Sequence, residues 1–140
     1  MQSFLSDQRI AVLSVEMLDG SPHAAAVHFA HIADPLTFIF LTGKTTRKAS
    51  PFLEKNSTRA SVVVGSNEDE MKTVQLDGAL EAASPNEVSE PYFTKFPEKT
   101  AKYNESSIFL KFTPTVWRYS DLKREGGAAI LKSDEVAVTH

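Results

Sequence analysis

The sequence predicts a mainly β domain, either a small antiparallel barrel or an antiparallel α+β sheet. Three observations predict it. Six segments carry strand composition or period-two alternation: 10–16, 23–31, 36–41, 59–65, 72–82 and 107–119. Helical patterns fall only in some of the gaps, and most strands are followed by none, which argues against a doubly wound fold. No Gly-x-Gly-x-x-Gly turn occurs.

Each element follows from local chemistry. Ile10 to Glu16 is rich in β-branched residues, and Asp19-Gly20-Ser21-Pro22 closes it with a strong turn signal. His23 to His31 forms the second strand. Ala24, Ala25 and Ala26 are poor strand formers, and suit either a tightly packed sheet face or close approach of a ligand to the backbone. After the turn at Ala33-Asp34-Pro35, Leu36 to Leu41 is an almost continuous apolar run and predicts a strand buried on both faces. Arg47 to Asn56 is helix-like with Pro51 inside. A helix from Arg47 loses a bond at Pro51, whereas one capped by Ser50 does not, so a short or kinked helix is expected. Val62-Val63-Val64 marks a buried strand, and Ser66 to Glu70 an acidic turn. In Lys72 to Ala82, Val74, Leu76 and Leu80 share one face. Ser84-Pro85-Asn86-Glu87 is a capping box opening a helix that Pro91 is expected to cut short, with Tyr92, Phe93 and Phe96 as core. Pro97 starts another short helix toward Asn104. The last long strand, Ser107 to Tyr119, carries Ile108, Leu110 and Phe112 and a break at Pro114.

The chain of 140 residues, 41% hydrophobic and 24% charged, has ordinary globular composition and fits one domain: 1–125, with 126–140 as a C-terminal tail or edge segment. The net charge of −3 argues against a nucleic-acid partner. With no cysteine there is no disulfide scaffold, no thiolate metal site and no cysteine nucleophile. No apolar run is long enough to span a membrane. The N-terminus lacks the basic and apolar regions of a secretory signal, so the cytoplasm is the expected location.

Several motifs fail on inspection. Gly43-Lys44-Thr45 imitates the end of a phosphate-binding P-loop, but Phe38 stands where that motif needs glycine. His23, His28 and His31 are no metal set, because odd spacing puts His28 on the opposite strand face from the other two. Neither a nucleophilic serine elbow nor a glycosidase carboxylate pair is present. One feature survives. Residues 44–59 hold five basic groups (Lys44, Arg47, Lys48, Lys55, Arg59) against Glu54 alone, inside an acidic protein. A buried strand ends at Leu41-Thr42, a Gly/Thr turn follows, and a helix start carries Thr46, Arg47 and Lys48. Hydroxyls, backbone donors and two cations then converge on a site suited to a phosphate. Each hydrogen bond to a charged group contributes roughly 1.5–3 kcal/mol, so four or five could anchor a phosphomonoester. The alternative is a solvated basic face on an orphan barrel that binds protein partners.

This segment resembles the pyridoxamine 5′-phosphate oxidase family of FMN-binding split β-barrels. The matching residues are Leu41, Thr42, Arg47, Lys48 and Asn56 in the family's spacing. Gly20-Ser21-Pro22-His23-Ala24-Ala25-Ala26-Val27-His28-Phe29 resembles the family's turn-and-strand stretch before it. Val74-Gln75-Leu76-Asp77-Gly78-Ala79-Leu80-Glu81 resembles a later strand. The resemblance runs from about Ile10 to Ala82.

It implies a six-stranded antiparallel split β-barrel with a few short helices, and a cytoplasmic homodimer with FMN in the subunit interface. Arg47 and Lys48 would hold the phosphate, helped by the Thr42 and Thr46 hydroxyls. The backbone of Ala25, Ala26, Val27, His28 and Phe29 would run beside the flavin. Thr73 stands where the oxidases carry a flavin-contacting glutamine, with Gln75 nearby, and Trp117 or Arg118 would reach in from the other subunit. The Arg-x-His-Asp-Arg ending that grips pyridoxal phosphate is missing, since the chain ends Ile130 to His140 without it. Pyridoxamine phosphate is therefore not carried over as substrate, and no catalytic residue is assigned. Three readings follow: an FMN oxidoreductase working by hydride or electron transfer on an unknown small molecule, a non-catalytic flavin-binding stress protein, or a deazaflavin-dependent reductase.

Overall fold

The computed structural model describes residues 1–65, 67–124 and 126–133. Elements run α1 (Gln2–Asp7), β1 (Ile10–Glu16), β2 (Pro22–His28), β3 (Ala30–Ile32), β4 (Thr37–Gly43), a 3-10 helix (Arg47–Leu53), β5 (Ser57–Val64), β6 (Lys72–Ala83), α2 (Pro85–Lys95), a second 3-10 helix (Pro97–Lys102), β7 (Ser107–Asp121) and β8 (Ala129–Lys132). All strand pairs are antiparallel in one sheet, ordered β2-β1-β5-β6-β7-β4-β3, with β8 on the outer half of β7.

This order explains why the sheet curls. β2 and β3 lie at opposite ends of it, yet only Phe29 separates them in sequence. The segment changes partner there: His28 pairs with Ile10 of β1, and Ala30 pairs with Ile39 of β4. One peptide stretch therefore joins both edges, and the sheet rolls toward a barrel. Phe29 is fully buried at this junction, stacked on Phe38 at 5.4 Å between ring centroids. The predicted second strand is thus two strands, because alternation along a chain cannot show a change of partner. With β8, which lies where the sequence allowed an edge segment, the described residues form eight strands rather than six.

The alternation lies where period two placed it. Ala11, Leu13 and Val15 of β1, Val62 and Val64 of β5, and Val74, Leu76 and Leu80 of β6 fill the barrel with Phe38, Phe40, Leu110 and Phe112. β4 is buried on both faces, as its apolar run predicts. Its other face, with Ile39 and Leu41, meets a second cluster of Val88, Tyr92, Phe96 and Phe109 under α2.

Prolines behave differently from the expectation at two places. The helix at Arg47 is 3-10 and keeps Pro51 inside it. Only one backbone bond is forfeited in so short an element, and the Ser50 hydroxyl donates to the Arg47 carbonyl at 2.7 Å. α2 passes through Pro91 to Lys95, because its buried residues Val88 and Tyr92 pack on both sides of the proline. Pro114 does not end β7. β4 pairs only as far as Phe112, and a register shift opposite Asp77 and Gly78 leaves Thr115 unpaired. The Thr115 hydroxyl donates to the Asp77 carbonyl at 3.1 Å. α1 has no sequence signal beyond its own Phe4 and Leu5, which plug the barrel. Ser66, in the acidic turn, and residues 134–140 of the tail lie outside the described residues. No helix among the described residues is long and apolar enough to cross a membrane.

Candidate functional site

The end of β4 and the following turn bring Thr42, Thr46 and Arg47 together. The Thr46 hydroxyl donates to the Gly43 carbonyl at 2.9 Å, so its oxygen accepts from the Thr42 hydroxyl at 3.1 Å. This short relay ties the last residues of β4 to the start of the 3-10 helix. A cavity of about 430 Å³ opens beside it, lined by Met17, Leu18, Asp19, Thr45, Thr46, Arg47 and Ser50. Arg47 is exposed and Lys48 half-buried. Burial pulls the Lys48 ammonium below the ordinary lysine range. Neither cation has an ion-pair partner among the described residues. A partly dehydrated cation without a counter-ion loses free energy that an arriving anion restores. Asp19 faces the same cavity. Its carboxylate accepts from the Ser21 hydroxyl (2.6 Å) and N–H (2.9 Å), which with the Arg47 charge hold it below the usual carboxylate range. The residues present therefore fit a phosphate group, with Asp19 locked into its own turn beside it. Asp19 and Ser50 were legible in the sequence only as turn and cap; their place at the cavity needs the fold.

The remaining candidates fall elsewhere. Ala25, Ala26 and Val27 lie on the edge strand β2, with Ala26 exposed and Val27 packed against the barrel core. His28 turns toward the second 3-10 helix, where its Nδ1 lies 2.8 Å from the Lys99 ammonium and its ring packs edge-on against Phe96. Burial first, then the Lys99 and Arg9 charges, hold this imidazole below its ordinary range, so the neutral ring accepts from Lys99. The Phe29 side chain belongs to the core, and its N–H is spent on the Arg9 carbonyl at 3.1 Å. Leu41 packs into the cluster under α2. Thr73 and Gln75 share one face of β6, opposite Ser120 and Arg118 of β7. Gln75 and Trp117 line a separate cavity of about 250 Å³ with Asp77, Arg118 and Ser133. This cavity shares no residue with the one at Arg47. Within one chain the candidates thus do not converge: one set lies at the basic turn, one on the β6–β7 pair, and residues 25–29 and Leu41 lie apart from both.

The fold and the basic turn can now be compared with known proteins. The model of the family described as pyridoxamine 5′-phosphate oxidase matches residues 1–121. The chain belongs to the pyridoxamine 5′-phosphate oxidase family. Among solved structures of this fold, a protein assigned as general stress protein 26 from Jannaschia sp. CCS1 superposes with a TM-score of 0.68 at 24% identity, over 89% of this chain and 77% of that one. General stress protein 26 from Bacillus anthracis str. Sterne gives 0.68 at 16% identity, over 94% of each chain. A heme binding protein from Mycobacterium smegmatis gives 0.69 at 11% identity, over 98% of this chain and 58% of that one. Identities this low carry the fold alone. No curated protein matches the chain. Family membership places the split barrel on firm ground and leaves activity and substrate to the site.

Proposed function

We propose that this protein is an FMN-binding flavoprotein, acting as an oxidoreductase on a small molecule, with the flavin held in the interface of a homodimer. The observation that carries the reading is the pair Arg47 and Lys48. In a member of this family, Arg47 lines a cavity that carries the hydroxyls of Thr45, Thr46 and Ser50, Lys48 follows it in sequence, and neither cation forms an ion pair among the described residues. Arg47 and Lys48 would hold the phosphate, helped by the hydroxyls of Thr42 and Thr46. The flavin, when bound, supplies hydride and electron transfer; the protein supplies grip and orientation.

A second subunit accounts for the separated groups of candidates. The alanines of β2 are small enough to let a planar ring approach the backbone, and Gln75 and Trp117 would come from the partner. Ile10, Val12 and Val63 support the same reading. They lie exposed on the outer face of β1 and β5, beside Ala26, and a contiguous apolar face is commonly covered. The cytoplasm remains the proposed location, and residues 1–125 the binding domain.

The test is a fluorescence titration of the dimer-sized fraction with FMN, with riboflavin as the phosphate-free control. Arg47→Ala/Lys48→Ala should lose roughly 3–6 kcal/mol of FMN affinity, about two to four decades in Kd, while riboflavin affinity barely moves. Lys48→Met alone should weaken FMN binding and raise the stability of the ligand-free protein, because a dehydrated charge is removed. If the wild type ignores FMN, the flavin reading fails. The deazaflavin coenzyme and heme, titrated in parallel, then show whether this barrel holds another cofactor.

A further inference from the structure

A second cavity lies on the other side of the fold. It measures about 390 Å³ and is lined by Ser6 of α1, His31 of β3, and Glu90, Thr94 and Lys95 of α2. It shares no residue with the basic turn or with the cavity at Gln75 and Trp117. Lys95 forms part of its wall in an unusual setting for a lysine. Its ammonium sits 4.1 Å above the centre of the buried Phe29 ring and donates one bond, at 3.3 Å, to the Leu5 carbonyl. No ion pair to it occurs among the described residues. The charges around it are mixed: Arg9 opposes its charge, Asp7 supports it, and Glu90 of the same helix lines the same cavity. His31, also in the wall, is pushed below its ordinary range, by burial first and then by Lys95. Its Nε2 lies 2.9 Å from the Gln2 side-chain oxygen.

We propose that Lys95 is a covalent binding site for small aldehydes, which enter this cavity and form a reversible imine on its Nζ. The neutral amine attacks the carbonyl carbon, the N–C bond forms, and the carbonyl oxygen takes up a proton. The nitrogen then loses a proton, the hydroxyl oxygen takes up a second one, and the C–O bond breaks as that oxygen leaves as water, giving the protonated imine. Nothing is oxidised or reduced. His31 and Glu90 line the same space and supply groups that accept and return the protons. Burial pulls the Lys95 amine down to about 8, with Arg9 adding to the effect. At pH 7.5 about a quarter of it is then free base, against roughly one in a thousand for an ordinary lysine. Lower basicity costs intrinsic nucleophilicity, on the order of tenfold by the slope known for thiols, which leaves a rate advantage of about tenfold.

The test is reductive trapping on the full chain, with propionaldehyde as probe and cyanoborohydride as the hydride source. Peptide mass mapping resolves each lysine and the Met1 amine. At pH 7.5 Lys95 should propylate about tenfold faster than Lys44 or Lys102. Its rate should level off with a midpoint near pH 8. Lys95→Arg should remove that adduct and leave the other lysines' rates unchanged. Labelling of Lys95 at the same rate as Lys44, or a Lys95 rate still climbing at pH 10, overturns the proposal. FMN binding is unaffected by either result, so the two readings fail independently.

Discussion

Gly65 and Gly20 offer a matched test of how tightly the barrel closes around α1. Both have left-handed backbones, with φ of +84° and +86°. An added Cβ at Gly20 meets nothing within 4 Å. At Gly65 it would run into the Lys72 carbonyl, and would lie 2.5 Å from Cζ of Phe4. That carbonyl belongs to β6, and Phe4 is held in the core beside Tyr119, with ring centroids 6.0 Å apart. Gly20→Ala therefore suffers backbone strain of about 1–2 kcal/mol, partly offset by a stiffer unfolded chain, for a net near 1 kcal/mol. Gly65→Ala adds overpacking against groups that cannot retreat, about 1–3 kcal/mol more. Urea unfolding followed by tryptophan fluorescence reads both. With a slope of about 1–3 kcal/mol/M, the Gly65→Ala midpoint should fall roughly 1 M below that of Gly20→Ala. Coincident midpoints would refute the claim that β5, β6 and α1 meet without slack at this point.

Two further outcomes follow from the same packing. Phe29→Ala should destabilise the protein by about 3–5 kcal/mol in thermal or urea unfolding, because a fully buried ring at the junction of the two sheet edges leaves a cavity; a loss below about 1 kcal/mol would show that the closure does not depend on it. Burial raises the Tyr92 hydroxyl to about 12, with Glu98 adding to the effect. The protonated form is favoured in the fold, so its contribution is complete below the unfolded value of about 10 and is lost as pH rises through 12. Unfolding midpoints should drop more steeply between pH 10 and 12 in the wild type than in Tyr92→Phe; parallel curves would contradict the burial of this ring.

Much of the site was legible because its chemistry is local. Thr42, Thr46, Arg47 and Lys48 lie within seven consecutive positions, so one turn positions them whatever the rest of the chain does. Gln75 and Trp117 are 42 positions apart, and only the β6–β7 register makes them neighbours. The aromatic residues of α2 were identifiable as core, but not Lys95 as a half-buried amine, since its surroundings come from α1, β3 and the Phe29 junction at once. Pro91 and Pro114 looked like breaks because a proline's missing N–H is a local fact. Whether that loss matters depends on packing and on where a neighbouring strand stops.

The sequence by itself determined the β class, the inward faces of β1, β5 and β6, the doubly buried β4, and the basic turn after it. Period two and short-range spacing are properties of the chain alone, and burying one face leaves little freedom in reading them. Tertiary structure alone decided that the stretch around Phe29 serves both edges of the sheet, that Lys48 stands half-buried with no ion pair among the described residues, and that Lys95 borders a cavity. Those depend on which distant segments exclude water from a given side chain, and that is set only when the sheet has closed.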